Sequence, residues 1–198
     1  MSSSPYRTIR AQYTDTTITV YQAYSSAIAS PALLAGKFVP PFKRSRMTWI
    51  KPSFLWMAYR SGWASKPGQE RILAIEISRS GFEWALCNSF INHNSPDKSL
   101  CHELERKKHE SCVRIQWDPE RDFAFRPLPF RSIQVGLGEK AVDRYVDEWI
   151  VSIRDVTDLM VTMGQLVHAG KIDEARDLLP VEKIYPLDEE IAKAAGLS

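Results

Sequence analysis

Arg46-Met-Thr-Trp-Ile-Lys-Pro-Ser-Phe-Leu-Trp-Met-Ala-Tyr-Arg-Ser-Gly-Trp63 packs a strand, a stop, a helix and an end signal into one short stretch. Met47–Ile50 is apolar and β-branched enough for a short strand, and Pro52 stops it. Ser53 is then placed to cap a helix over Phe54–Arg60, ended near Gly62. Trp56, Tyr59, Arg60 and Trp63 fall at three- and four-residue spacings along one side of that helix. Arg46, Thr48, Lys51 and Ser53 gather around the proline at the helix mouth. Amides at a helix start, hydroxyls and a lysine together make an anion cradle. The plainer alternative is that Ser53 only caps and Lys51 is solvated.

Charge along the chain favours the cradle. Between Asp15 and Glu70 there is no carboxylate, yet the segment holds Lys37, Lys43, Arg44, Arg46, Lys51, Arg60 and Lys66. The whole chain carries only +2, so this is a local asymmetry rather than a generally basic protein. Unanswered positive charge repels itself unless solvent or an anion relieves it. Trp49, Trp56, Trp63 and Tyr59 lie among the cations and offer flat apolar surfaces. The combination suits a phosphate-bearing ligand with a stackable base, either a nucleotide or a strand of RNA or DNA. A solvated basic face over an aromatic core is the competing reading. The last quarter is acidic in turn: Glu139–Glu190 holds thirteen acids against six bases, so part of the basic charge can be answered within the fold.

Around this stretch, Ile18–Tyr24 reads as a strand and Ser25–Phe38 as a helix with Pro31 inside it. Arg71–Ser78 reads as a central strand, and Phe82–Phe90 as a strand or short helix. Asn92–Ser111 is polar and reads as an exposed excursion. Val113–Trp117 is a strand, with Asp118-Pro-Glu-Arg121 turning away from it. Phe130–Leu137 is another strand, Ala141–Trp149 a helix and Ile150–Asp155 a closing strand. Thr157–Leu179 is helical with breaks at Gly164 and Gly170, and residues after Pro180 are peripheral. Unevenly spaced strands with short helices fit α+β better than a doubly wound sheet, and no G-x-G-x-x-G follows a strand. With 198 residues the expectation is a single domain over 1–198, its core about 6–157 and 158–198 a peripheral helical tail.

No apolar run reaches membrane-spanning length, three cysteines are no disulfide framework, and Met1-Ser-Ser-Ser-Pro5 lacks the marks of a signal peptide, so a cytoplasmic, intracellular protein is expected. Cys87, Cys101, His102, His109 and Cys112 lack knuckle spacing, and no metal is expected. Asp118 and Glu120 are candidate general bases beside a strand end, and Glu76 and Glu83 are further carboxylates that could face a pocket.

VYQAY, RMTWIKPSFLWMAYRSGW, QERILAIEI, QWDPERD, PFRSIQVGL and DEWIVSIRDVT together resemble the domain-of-unknown-function 4291 family, over about Tyr6 to Thr157. More distantly, the order of elements resembles the ADP-ribosyltransferase fold, a split, mostly antiparallel sheet flanked by short helices that grips NAD. That resemblance implies an enzyme transferring ADP-ribose from NAD to a nucleic-acid, nucleotide or other acceptor. Tyr21-Gln22 would take the place of the first-strand aromatic and His or Arg. Thr48-Trp-Ile-Lys-Pro-Ser53 would take that of the hydroxyl-bearing strand, and Gln134 that of the catalytic Glu. It further implies that Arg46, Lys51 and Ser53 bind pyrophosphate or ribose, with Thr48 and Arg60 beside them. Tyr21, Trp49 and Trp56 would stack, Gln22 and Gln134 would hold the nicotinamide ribose, and Arg131 would orient Gln134 or a phosphate. Glutamine at 134 keeps a hydrogen bond but lacks the charge that stabilises an oxocarbenium-like centre. A non-catalytic nucleic-acid-binding module, or a pseudoenzyme that keeps the pocket, is the alternative.

Overall fold

The fold follows from two strands that are apolar on both faces, in a computed structural model that describes residues 6–91, 111–138 and 140–197. In chain order the elements are β1 (Arg10–Ala11), β2 (Thr17–Tyr24), α1 (Ser26–Ala35), β3 (Thr48–Ile50), α2 (Phe54–Ser61), β4 (Arg71–Ser78), α3 (Arg79–Cys87), β5 (Ser89–Ile91), β6 (Val113–Arg121) and β7 (Pro127–Leu137). Then come α4 (Lys140–Arg144), which runs into a π-helical turn at Tyr145–Trp149, β8 (Ile150–Asp155), α5 (Thr157–His168), α6 (Ile172–Leu178), β9 (Lys183–Ile184) and α7 (Glu189–Ala194). The class is α+β, with mostly antiparallel sheets. None of the described helices is long and apolar enough to cross a membrane.

β2, β4 and β8 form one sheet in that order, and β3, β7, β6 and β5 form another. Pairing is antiparallel except for β5 with β6. The edge strands β2 and β3 meet at a single bridge, Tyr21 with Lys51, where the Tyr21 amide donates to the Lys51 carbonyl at 2.7 Å. Pro52 enforces this, because the residue before a proline is pushed into extended backbone. Beyond the bridge the two sheets part.

Alternation assigns the faces. Ile18 and Val20 of β2, Leu73, Ile75 and Ile77 of β4 and Ile133, Val135 and Leu137 of β7 enter one core with α1, α3 and the Tyr145–Trp149 turn. Tyr21, Ile72 and Ala74 face the other way, into a second core with Phe54, Met57, Trp63, Met160 and Met163 of α2 and α5. A strand buried on both sides needs the near-continuous apolar run that Arg71–Ser78 supplies.

Of the two readings of Phe82–Phe90 the helix holds as far as Cys87, with Ser78 capping α3 through the Gly81 amide at 3.2 Å, and β5 follows at Ser89. Several expectations need correction. Asp118–Arg121 does not turn away: β6 continues through it, and a bulge between Pro119 and Arg121 takes up the proline's missing donor. The turn comes at Asp122, whose Oδ1 accepts from the Ala124 and Arg126 amides. Gly164 does not break the tail helix; a Cβ there would lie 2.7 Å from the Trp63 Cβ, so this glycine lets α5 close onto Trp63 in the turn after α2, while Gly170, at φ +74°, is the true break. Residues after Pro180 are not peripheral: β9 pairs with β1, Tyr185 is 3% exposed, and the Ala195 carbonyl accepts from Trp117 Nε1 at 3.0 Å. The Asn92–Ser111 excursion lies outside the described residues, save for Ser111, whose hydroxyl donates to the Asn88 carbonyl at 2.9 Å.

Candidate functional site

Where the sheets part, the C-terminal end of β2, the 41–47 loop, β3, α2 and the 67–69 turn enclose a cavity of about 480 Å³. Its polar lining is Gln22, Tyr24, Thr48, Gln69 and the cations Lys43, Arg46, Lys51 and Arg60, beside Phe42 and Trp49, and among the described residues no Asp or Glu lines it. The acid-free block of sequence is thereby divided. Arg44 donates to Asp143 at 3.0 Å and to Asp147 at 2.5 and 2.9 Å, and Lys37 lies 3.5 Å from Asp147. The Arg44 hydrogen bond, followed by its charge, holds the Asp147 carboxyl down at about 2. Lys66 folds back on the Tyr59 and Arg60 carbonyls at the end of α2. Among the described residues Lys43, Arg46, Lys51 and Arg60 form no ion pair, and these four share the cavity.

Gln22 sits at the cavity's inner wall, 3% exposed, with both ends of its amide engaged. Nε2 donates to Thr48 Oγ1 at 2.5 Å, the Tyr24 hydroxyl at 3.0 Å and the Trp49 carbonyl at 3.2 Å. Oε1 accepts from the Tyr145 hydroxyl at 2.7 Å. Burial pushes the Tyr24 hydroxyl up to about 12 despite its bond with Thr48, so it stays a proton donor across the physiological range. The amide braces β2 against β3 beside their single bridge. Tyr24, two residues along β2, shares its face, whereas Tyr145 lies 123 residues away and leaves no local signal.

Lys51 projects from the end of β3 and is 7% exposed. Its Nζ donates to the Trp49 carbonyl at 3.3 Å and lies 5.2 Å from the Trp56 ring centroid. Burial, reinforced by the Arg60 charge and opposed by Asp118, lowers its amine to about 7. Arg60 Nη1 donates to Gln69 Oε1 at 3.2 Å, tying α2 to the turn across the mouth. Trp49 lies against Gly136, where a Cβ would come within 2.9 Å of its ring.

Other predicted residues are placed differently. Tyr21 is 1% exposed, donates to Gln12 Oε1 at 3.0 Å and packs edge-on against Phe54 in the second core, so it does not line the cavity. Trp56, also buried, sits behind Lys51, edge-on to Tyr59. Ser53 Oγ accepts from the Trp56 amide at 3.1 Å and caps α2. Gln134 lies on the polar face of β7 and donates to Asp118 Oδ2, whose other oxygen accepts from Gln116 at 2.9 Å. Arg131, at an odd position on β7, is on the opposite face and donates to the Tyr6 hydroxyl at 2.8 Å, away from Gln134. Thus Gln22, Arg46, Thr48, Trp49, Lys51 and Arg60 share the cavity, and Tyr21, Ser53, Trp56, Arg131 and Gln134 do not line it. Glu76 meets Arg154 at 3.3 Å and Glu83 meets the Tyr185 hydroxyl at 2.7 Å, neither at the cavity.

Sequence reasoning named Glu120, which is 8% exposed, but missed its neighbour Glu182 at the start of α2. Glu182 Oε1 accepts from the Phe54 amide at 2.7 Å, at the start of α2. Burial, with the neighbouring Glu120 adding to it, raises its carboxyl to about 8 against the pull of that amide and of Arg10. Burial also raises Glu120, although it has hydrogen bonds from the Arg121 amide, Ser53 and Ser132. Cys101, His102 and His109 lie outside the described residues.

The family profile described as Domain of unknown function (DUF4291) matches residues 8–185, and the chain belongs to that family. No curated protein matches the chain.

Proposed function

We propose that the cavity at the parting of the two sheets binds a phosphate-bearing nucleotide, with NAD as the first ligand to test, in an ADP-ribosyltransferase-like enzyme. The observation that carries this reading is that four cations and three aromatic rings line one half-open cavity, with no carboxylate among its described lining residues. In this reading Lys43, Arg46 and Arg60 take the phosphates by charge-assisted hydrogen bonds, and Trp49 or Phe42 offers a face to the base. Gln22 positions Thr48 and the Trp49 carbonyl rather than gripping a ribose, since its amide is already engaged at both ends. Asp118 supplies beside Gln134 the negative charge that the glutamine lacks, and it would be the carboxylate to support glycosyl transfer.

A second reading, a nucleotide or nucleic-acid binder without turnover, draws on one observation: among the described residues no carboxylate lines the cavity itself. Calorimetric titration with NAD and ADP-ribose at low salt is the test. Binding is expected, and Arg46→Ala should weaken it by about tenfold or more, the scale of a lost hydrogen bond to a charged group. No detectable heat with either ligand would remove the proposal. Nicotinamide release in the presence of pooled nucleic-acid or protein acceptors marks the enzyme. Affinity for single strands that falls with salt by about one log unit per phosphate contact marks the alternative.

A further inference from the structure

We propose that Lys51 is a reactive amine that condenses with the carbonyl group of a phosphorylated aldehyde held in the cavity. The inference shares with the nucleotide reading the premise that this cavity takes phosphate, and it adds a covalent chemistry that NAD, which has no aldehyde, does not use.

Several observations converge on this side chain. Lys51 is more than nine-tenths buried yet lines the cavity. Its Nζ has one hydrogen bond, a long one of 3.3 Å to the Trp49 carbonyl, and an aromatic face at 5.2 Å. Among the groups facing it, Arg60 from α2 disfavours a second positive charge, and Asp118 from β6 acts in the opposite sense. Lys43 and Arg46 add positive charge from the 41–47 loop, and Tyr24 from β2 is held uncharged by its burial. An ammonium in such a place loses its hydration without gaining a counter-ion, so the neutral amine, with its lone pair free, is favoured. A lysine desolvated beside another cation is how proteins make amine nucleophiles. Arg60, which disfavours its proton, lines the cavity with Lys43 and Arg46, and the three are placed to hold a phosphate that brings an attached aldehyde to the amine.

The step balances without a redox partner. The Lys51 lone pair attacks the aldehyde carbon, a C–N bond forms, and the carbonyl oxygen takes up a proton as the nitrogen releases one. The resulting carbinolamine loses its hydroxyl as water, with a proton from solvent, leaving a protonated imine. The chemistry is common to pyridoxal 5′-phosphate and to the open-chain form of ADP-ribose, so the experiment carries both.

The full chain is incubated with pyridoxal 5′-phosphate, with phosphate-free pyridoxal, or with ADP-ribose, across pH 6 to 9. Borohydride then reduces any imine to a stable amine, and the adduct is located by peptide mass. At pH 7 an amine titrating near 7 is about half neutral, whereas an ordinary lysine is neutral only about once in 2,500 molecules. Even after the lower intrinsic nucleophilicity of the less basic amine, labelling at Lys51 should exceed that at Lys43 or Lys66 by about tenfold or more. Its rate should rise to a plateau through pH 7, and pyridoxal should label far more weakly than its phosphate. A yield with ADP-ribose above that with pyridoxal 5′-phosphate assigns the nucleotide as the natural class, and the reverse assigns a smaller phosphorylated aldehyde. Lys51→Arg should abolish the adduct while Lys43, Arg46 and Arg60 stay in place to hold the phosphate. Labelling spread evenly over exposed lysines, or a Lys51 rate still climbing at pH 9, overturns the proposal. The two readings separate cleanly: NAD binding with Lys51 unlabelled sinks the amine and leaves the nucleotide, and selective labelling with no NAD heat does the opposite.

Discussion

Replacing Lys51 by methionine should make the protein more stable, by an amount that depends on pH in a direction fixed by where the amine titrates. The unfolded amine titrates near 10.5 and the folded one near 7. Below pH 7 both states hold the proton, and the native state bears the full cost of a buried, unpaired charge. Above 10.5 both are neutral and the cost is gone. Between the two the unfolded chain binds more protons, so wild-type stability rises with pH, at up to about 1.4 kcal/mol per pH unit. Methionine keeps an unbranched stem of similar length against Trp56 and removes the titration. The advantage of Lys51→Met over wild type should therefore shrink by roughly 2–3 kcal/mol between pH 6 and pH 9. Other titrating groups, Glu182 among them, are common to both chains and cancel in the difference. Urea unfolding followed by tryptophan fluorescence at four pH values measures it. A difference constant within about 0.5 kcal/mol over that range would show that the amine is solvated or paired and not a buried, unanswered charge.

Glu182→Gln should act with the opposite sign: its carboxyl is raised to about 8, so wild-type stability relative to the glutamine variant falls as pH rises from 5 to 8, at up to about 1.4 kcal/mol per unit, read by the same urea series. Ser53→Ala removes the α2 cap and should cost about 1 kcal/mol in the midpoint-derived stability. Gly164→Ala puts a methyl within 2.7 Å of the Trp63 Cβ and should cost roughly 1–3 kcal/mol although alanine is the better helix former, which thermal unfolding will show as a lowered midpoint.

Much of the architecture was legible because local chemistry and tertiary packing agree there. Ser53, Pro52 and Gly62 mark the β3–α2 junction as the side chains demand, and the double-sided burial of β4 is written in RILAIEIS. Asp118-Pro-Glu-Arg121 misled because a proline at a bulge and a proline in a turn look alike in sequence, and only the pairing with β7 distinguishes them. The tail beyond Pro180 looked peripheral from its charge, yet Tyr185 packs against Phe82 and Tyr13 at centroid distances of 5.6 and 5.3 Å. The candidate site was half visible. The acid-free block pointed to Arg46, Lys51 and Arg60, but nothing local told them apart from Lys37 and Arg44, which Asp143 and Asp147 reach from about a hundred residues away. The pairing of Gln22 with Tyr145, and of Glu182 with the start of α2, crosses similar separations and leaves no local pattern.

If a nucleotide sits where β2 parts from β3, a titration followed residue by residue will show it there. With NAD or ADP-ribose added to isotope-labelled protein, amide and indole signals of Gln22, Thr48, Trp49, Gly68 and Gln69 should shift together and saturate, while those of Arg114 and Arg121 on β6 stay in place. Shifts confined to the β6 residues, or no saturable change at the cavity with either ligand, would contradict the account.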